Sequence, residues 1–161
     1  MRDGKIQKIT PMLQETYLTM LQKSVGSKMF QTAYVTVRGK KRDVLKNGEL
    51  SCAFFVSSVL RLFGLIKEVH VTVSGTVSDM EKSGWKEIQK PRKGSVLIWE
   101  PVSEKGEFHG HIGFFLGKSM AVSNSTKNKK IAEHHYTFGR EKSRPKRKIR
   151  RILHHPKLDL K

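Results

Sequence analysis

The chain holds one cysteine in 161 residues, so no disulfide can close within it, and its thiol must be explained by packing or by reactivity. Long apolar runs are missing too: the longest candidate, Ala53 to Ile66, is broken by Arg61 and falls short of the roughly 20 residues a membrane-spanning helix needs. Acidic residues are scarce, with 14 Asp and Glu against 32 Lys and Arg, for a formal net charge of +18. Such a field attracts polyanions, which brings anionic cell-wall polymers, nucleic acid and acidic lipid surfaces into consideration as partners. Met1-Arg2-Asp3-Gly4-Lys5 is charged with no apolar stretch behind it. No secretory signal is therefore read, and the protein is expected in the cytoplasm or released by another route, as a phage lysis protein would be. Neither a repeat nor a linker divides the chain. Hydrophobic and charged contents of 37% and 29% fit one globular domain over residues 1–161, long enough to bury roughly 70% of its unfolded surface.

The first half reads as helical. Thr10-Pro11 is a capping residue followed by a proline suited to a first helical position, and Leu13, Tyr17, Met20 and Leu21 recur on one face of a helix ending near Gly26. Met29 to Val37 predicts a short strand or extended arm, and Gly39-Lys40-Lys41-Arg42 and Lys46-Asn47-Gly48 predict loops. Cys52, Phe55, Val56, Val59, Leu60 and Phe63 follow the i, i+3, i+4, i+7, i+8, i+11 pattern of a buried helix, with Ser51 as N-cap and Gly64 near its end. After an extended Val69–Val73 segment, Thr76-Val77-Ser78-Asp79 resembles a capping box opening a short helix that Gly84 closes. The second half predicts strands over 95–99, 111–116, 120–123, 130–134 and 148–153. Helices followed by antiparallel strands define an α+β class. The segment 140–161 holds ten Lys or Arg residues. Ile149, Ile152, Leu153 and Leu158 make part of it a candidate edge strand with its basic residues in water, against the alternative of a basic tail.

Two side chains could carry chemistry together. Cys52 falls in the first turn of the central helix, where unpaired backbone N–H groups and the helix dipole favour a thiolate and an oxyanion. His111 opens the run His111-Ile112-Gly113-Phe114-Phe115-Leu116-Gly117. If the two meet, they form a nucleophile and its base. His109 and His111 share a strand face, as a metal pair would, but no third or fourth ligand accompanies them in a zinc-type spacing, so no metal or other cofactor is expected. Trp85 and Trp99 are read as core residues or cleft walls.

The ordered set "SCAFFVSSVLRLFGL", "SGW" before "PRKGSVLIWE", and "HIGFFLGKSMAVSNS" resembles the NlpC-type cell-wall cysteine peptidases, a papain-like superfamily that includes the CHAP amidases. The likeness runs from about Gly48 to His134 and departs from the family pattern at Ser51, Ala53, Phe54 and Ser95, where Asp, Ser, Gly and Asp are usual. It implies a papain-like fold with N-terminal helices packed on an antiparallel sheet, a partly open barrel. It also implies a cysteine peptidase or amidase acting on a peptide or peptidoglycan-like substrate, with Cys52 as nucleophile and His111 as general base. Such a site uses a third polar group to orient the imidazole, in that family a His, Asn, Gln or Glu on the next strand. The register points to Ser123 or Asn124, and Asn124, with its amide carbonyl, is the favoured residue, with His134 or His135 as substitutes. Tyr34 is a candidate to assist the oxyanion, as a tyrosine does in many relatives. The competing function is a non-catalytic binding module whose basic face from Lys146 to Arg151 holds nucleic acid or another polyanion.

Overall fold

Helix α2 (Cys52–Leu62) is the centre around which the chain is built, because Ala53, Phe55, Val56, Val59 and Leu60 are all buried. The computed structural model describes residues 7–104 and 106–160; the leader reading of residues 1–5 lies outside them. Two further α-helices, α1 (Leu13–Lys23) and α3 (Val73–Lys82), flank α2 in the first half. The second half is a six-stranded antiparallel sheet built from β3 (Lys86–Glu87), β4 (Val96–Glu104), β5 (Glu107–Gly117), β6 (Met120–Ser125), β7 (Lys130–His135) and β10 (Ile149–His154). Its order is β3-β10-β4-β5-β6-β7, so it stays open and does not close into a barrel. Two short ribbons, β1 (Tyr34–Val37) with β2 (Lys40–Asp43) and β8 (Arg140–Glu141) with β9 (Arg144–Pro145), complete a mixed α+β architecture. No helix among the described residues is long and apolar enough to cross a membrane.

The strand alternation sorts the core onto two faces. Val96, Ile98, Ile112, Phe114 and Val122 face α2 and pack with Tyr17 and Leu21 of α1. Leu97, Trp99, Phe115 and Ala121 form a second cluster on the opposite face, covered by Tyr136, Phe138, Ile149 and Ile152. The basic C-terminal segment contributes a true strand. Ile149–Leu153 pairs with β4 and Leu153–His154 with the two-residue β3, while Arg151 is tied to Glu81 and Glu87 at 2.8 and 2.9 Å. At the other edge, the turn after α1 shields β7, with Gly26 N donating to Ile131 O at 2.7 Å and Ile131 N to Ser27 O at 3.0 Å.

Several boundaries differ from the sequence expectation. α1 begins at Leu13 with Met12 as N-cap, so Thr10-Pro11 precedes the helix. Lys40–Asp43, expected as a loop, is β2, because Arg38 and Gly39 adopt φ of 49° and 75° and make the left-handed two-residue turn that matches strand twist. Val69–Val73 is not a strand, and α3 starts one turn before Thr76, capped by Thr72 Oγ1 accepting from Gly75 N at 3.1 Å. The reason is Asp79, which serves α3 from its interior and not from its first turn. Its carboxylate accepts from Lys67 N, Glu68 N and Ser83 Oγ and meets His70 Nε2 at 2.8 Å, holding the 67–70 connection against α3. Burial alone would raise the Asp79 pKa, but the bonds from His70, Glu68, Lys67 and Ser83 win and hold it at about 2.

A carboxyl with its folded pKa below its unfolded one stabilises the protein above the unfolded value and loses that contribution as pH falls through the folded value. Asp79→Asn is expected to reduce stability by on the order of 1–2 kcal/mol at neutral pH and to flatten the acid limb between about pH 4 and 2. Urea denaturation across that range checks it, and an unchanged limb would remove Asp79 from the acid response.

Candidate functional site

The sulfur of Cys52 lies where β6 stops pairing with β5. Phe115 of β5 makes both its backbone bonds with the two residues just before β4, donating to Ser95 O and accepting from Gly94 N at 2.8 Å each, so the odd-numbered residues of β5 turn their polar groups toward β4. The even-numbered residues face β6, whose register with β5 runs no further than Gly113↔Ser123. Beyond it, the carbonyl of Gly110 and the N–H of Ile112 have an open edge, and the first turn of α2 fills it. Cys52 Sγ lies 3.9 Å from Gly110 O, and the Ile112 N–H on the other side of His111 is among the groups that pull the thiol pKa down. The sulfur thus lies beside the backbone on either side of His111. The first i→i+4 bond of α2 is Phe55 N to Ser51 O at 2.9 Å, so the N–H groups of Cys52, Ala53 and Phe54 stand ahead of the helical ladder. Ser51 occupies the N-cap position without a side-chain capping bond; its buried hydroxyl has no hydrogen-bond partner among the described residues.

His111 projects to the face of the second cluster, where its ring lies 5.3 Å from that of Trp99 and 5.7 Å from that of Phe138. Its Nε2 is 2.8 Å from Ser123 Oγ, which is itself 2.8 Å from His134 Nε2. Ser123 stands opposite Gly113 on one side and Ala132 on the other, so both imidazoles reach its hydroxyl diagonally, over residues too small to block them. A Cβ at Gly113 would come within 2.6 Å of Val122 O, 2.7 Å of Ser123 Cβ and 3.1 Å of Trp99.

Cys52, Gly110 and His111 line one cleft of about 730 Å³, and His111, Ser123 and His134 line an adjoining one of about 430 Å³. Arg147 belongs to both and donates to Glu100 O and His109 O at 3.1 Å each. Burial pushes the Cys52 thiol up and outweighs the N–H groups of Ile112, Ala53 and Cys52 and the Arg147 guanidinium, which pull it down. Burial, followed by the charges of Arg147 and His134, drives His111 down to about 3. The resting pair is therefore a neutral thiol and a neutral imidazole lining one cleft, and not the thiolate that the helix dipole alone suggested. Among the described residues no hydrogen bond yet joins the sulfur to the ring.

Cys52 and His111 are brought to one cleft; Asn124 lines the adjoining cleft with His111 but makes no hydrogen bond to its ring. It sits on the other face of β6, where its Nδ2 donates to Gly48 O at 2.8 Å. Alternation along the strand decides this, since Ser123 and Asn124 cannot both face the imidazole. Asn124 instead holds the loop leading into Cys52, with Thr126 Oγ1 on Glu49 O at 3.3 Å and the Lys129–Glu49 ion pair at 3.3 Å. His135 turns its ring to Thr137, and its carbonyl bonds His134 Nδ1 at 2.8 Å. Tyr34 is exposed on β1 under Lys41 and outside both clefts. His109 pairs with Glu107 at 3.4 Å, and no set of three metal-binding side chains gathers among the described residues. Trp85 is a core residue bonded to Leu65 O, and Trp99 is the wall behind His111, bonded to Tyr136 O. Arg147 was missed: within a basic run nothing marks the one side chain that turns inward. A Ser-His-Asp array elsewhere, Ser95, His154 and Asp159 at 3.0 Å per link, is structural, because Ser95 is fully buried, also accepts Arg92 N, and borders neither cleft. Comparison with models of known protein families and with curated proteins finds no match for this chain.

Gly113→Ala is expected to lower stability by roughly 1–3 kcal/mol through overpacking and to push Ser123 beyond hydrogen-bond reach of His111. Chemical denaturation and a crystal structure of the variant check this; an unchanged Ser123 position would show that the close approach is not required.

Proposed function

We propose that this chain is a cysteine peptidase or amidase of the NlpC type, with Cys52 as nucleophile and His111 as general base. The observation that carries the reading is the placement of the Cys52 sulfur on the open edge of β5, between the backbone groups of Gly110 and Ile112, in a cleft that His111 also lines. A merely structural cysteine in the first turn of a core helix has no need of that position.

In the reaction the thiol proton passes to the His111 imidazole as the sulfur attacks an amide carbonyl. Charge on the resulting oxyanion is met by the leading N–H groups of α2 and the positive end of its dipole. Collapse breaks the C–N bond, the amine leaves with the proton from His111, and a thioester remains on Cys52. Water, deprotonated by His111, then releases the acid and restores the thiol. Ser123 takes the third position of the site. The resemblance supplies the substrate class, peptides of bacterial cell wall, and the net charge of +18 supports retention on anionic wall polymers. The competing reading, a basic docking module along Lys146–Arg151, is weakened because Arg147 turns into the cleft and Arg151 is paired with two glutamates.

New amino termini released from a soluble digest of peptidoglycan peptides, followed by mass spectrometry, test the proposal. Cys52→Ala and His111→Ala are each expected to lower the rate by about 10³-fold or more. An undiminished rate in Cys52→Ala, or salt-sensitive nucleic-acid binding with no hydrolysis, would overturn it. The pH dependence follows from the shifts. His111 stays in its base form down to about pH 3, so turnover has no acid limb near pH 6.5, where an ordinary imidazole titrates. Burial keeps the resting thiol protonated at neutrality, so iodoacetamide labelling of Cys52 in the free protein climbs into the alkaline range; a plateau near pH 7 would contradict it.

A further inference from the structure

We propose that His134 is a positioning residue that sets the tautomer of His111 through the Ser123 hydroxyl. The inference rests on the reading of His111 as general base and assigns how that base is prepared.

The direction of each bond follows from which groups can donate. A backbone carbonyl accepts and cannot donate, so the 2.8 Å contact between His134 Nδ1 and His135 O places a proton on Nδ1. Burial keeps His134 neutral, so its Nε2 carries a lone pair. The 2.8 Å contact between that nitrogen and Ser123 Oγ is then a bond donated by the hydroxyl. With its one proton committed to His134, the serine oxygen can only accept from His111, and the remaining 2.8 Å contact requires the proton of the neutral imidazole to be on His111 Nε2. His111 Nδ1 is left with the lone pair that can take the thiol proton. When it does, the ring becomes an imidazolium whose Nε2–H already points at an oriented oxygen, so no group in the chain has to turn over.

The surroundings hold His134 in that pose. Phe138 stacks on its ring at 4.0 Å between centroids and 16° between planes, and Trp99 lies 5.7 Å away. Phe138 has φ of 59°, a left-handed conformation unfavourable for a bulky residue, so the backbone is strained where it delivers this ring to His134. Ser123 alone would not suffice, since a hydroxyl that can rotate would as readily donate to His111 Nε2 and leave the proton on Nδ1, blocking the base.

Long-range ¹H–¹⁵N NMR of the wild-type protein at neutral pH reads the tautomers directly. His111 is expected as Nε2–H and His134 as Nδ1–H; either in the opposite form overturns the proposal without any variant. In His134→Ala, His111 is expected to shift toward Nδ1–H, with kcat reduced roughly 10- to 100-fold and KM within about twofold. His134→Gln, whose amide oxygen can accept the Ser123 proton in place of Nε2, is expected to restore both. An Nε2–H His111 retained in folded His134→Ala would overturn the proposal. The two readings fail separately: correct tautomers without hydrolysis would remove the peptidase and keep the relay, whereas hydrolysis with His111 as Nδ1–H would do the reverse.

Discussion

The arrangement depends on the point at which β6 stops pairing with β5. As long as two antiparallel strands run together, their backbone groups satisfy each other and leave nothing for a third element. Pairing ends at Gly113↔Ser123, and the polar groups of Gly110 and Ile112 on that edge become available to α2. The first turn of α2 supplies the sulfur, and the helix arrives there because its apolar face is packed on Ile112, Phe114 and Val122 immediately beyond. One interruption thus fixes the depth of the Cys52 sulfur, the cleft it shares with His111, and the position of Ser123 as the last residue of β6 paired with β5.

Electrostatics at the site run against a charged resting pair. The low dielectric disfavours both thiolate and imidazolium, and Arg147 opposes protonation of His111 and His134 while favouring the thiolate. The network behind His111 contains a hydroxyl and a second imidazole where many hydrolases place a carboxylate, so it contributes orientation more than charge. On the proposed reading, such a site would move the proton during attack and hold no ion pair ready beforehand.

Much of the frame was legible in the residues. The spacing from Cys52 to Phe63 marked the central helix, the β-branched and aromatic runs after Ser95 marked the strands, and Ile149 to Leu153 carried enough apolar character to distinguish a strand from a tail. Helix starts were less legible: Thr72 and Thr76 both have capping hydroxyls, and tertiary bonds to Asp79 selected the earlier one. In the site, Cys52 and His111 stood out by residue type and context. Asn124 was preferred to Ser123 on the chemistry of its side chain, which is sound in isolation. Parity along a strand outranks it, because one step in register exchanges the face on which each residue lies.

The sequence by itself determined the α+β class of the fold and the central helix, and it singled out Cys52 and His111 as candidates, since hydrophobic period and residue chemistry are local properties. Tertiary structure decided which polar side chain meets the imidazole, that Gly113 had to be small, and that one arginine of a basic run turns inward. Those outcomes depend on how far two strands stay in register and on what packs across them. Pairing between distant segments sets both, and no window of sequence contains it.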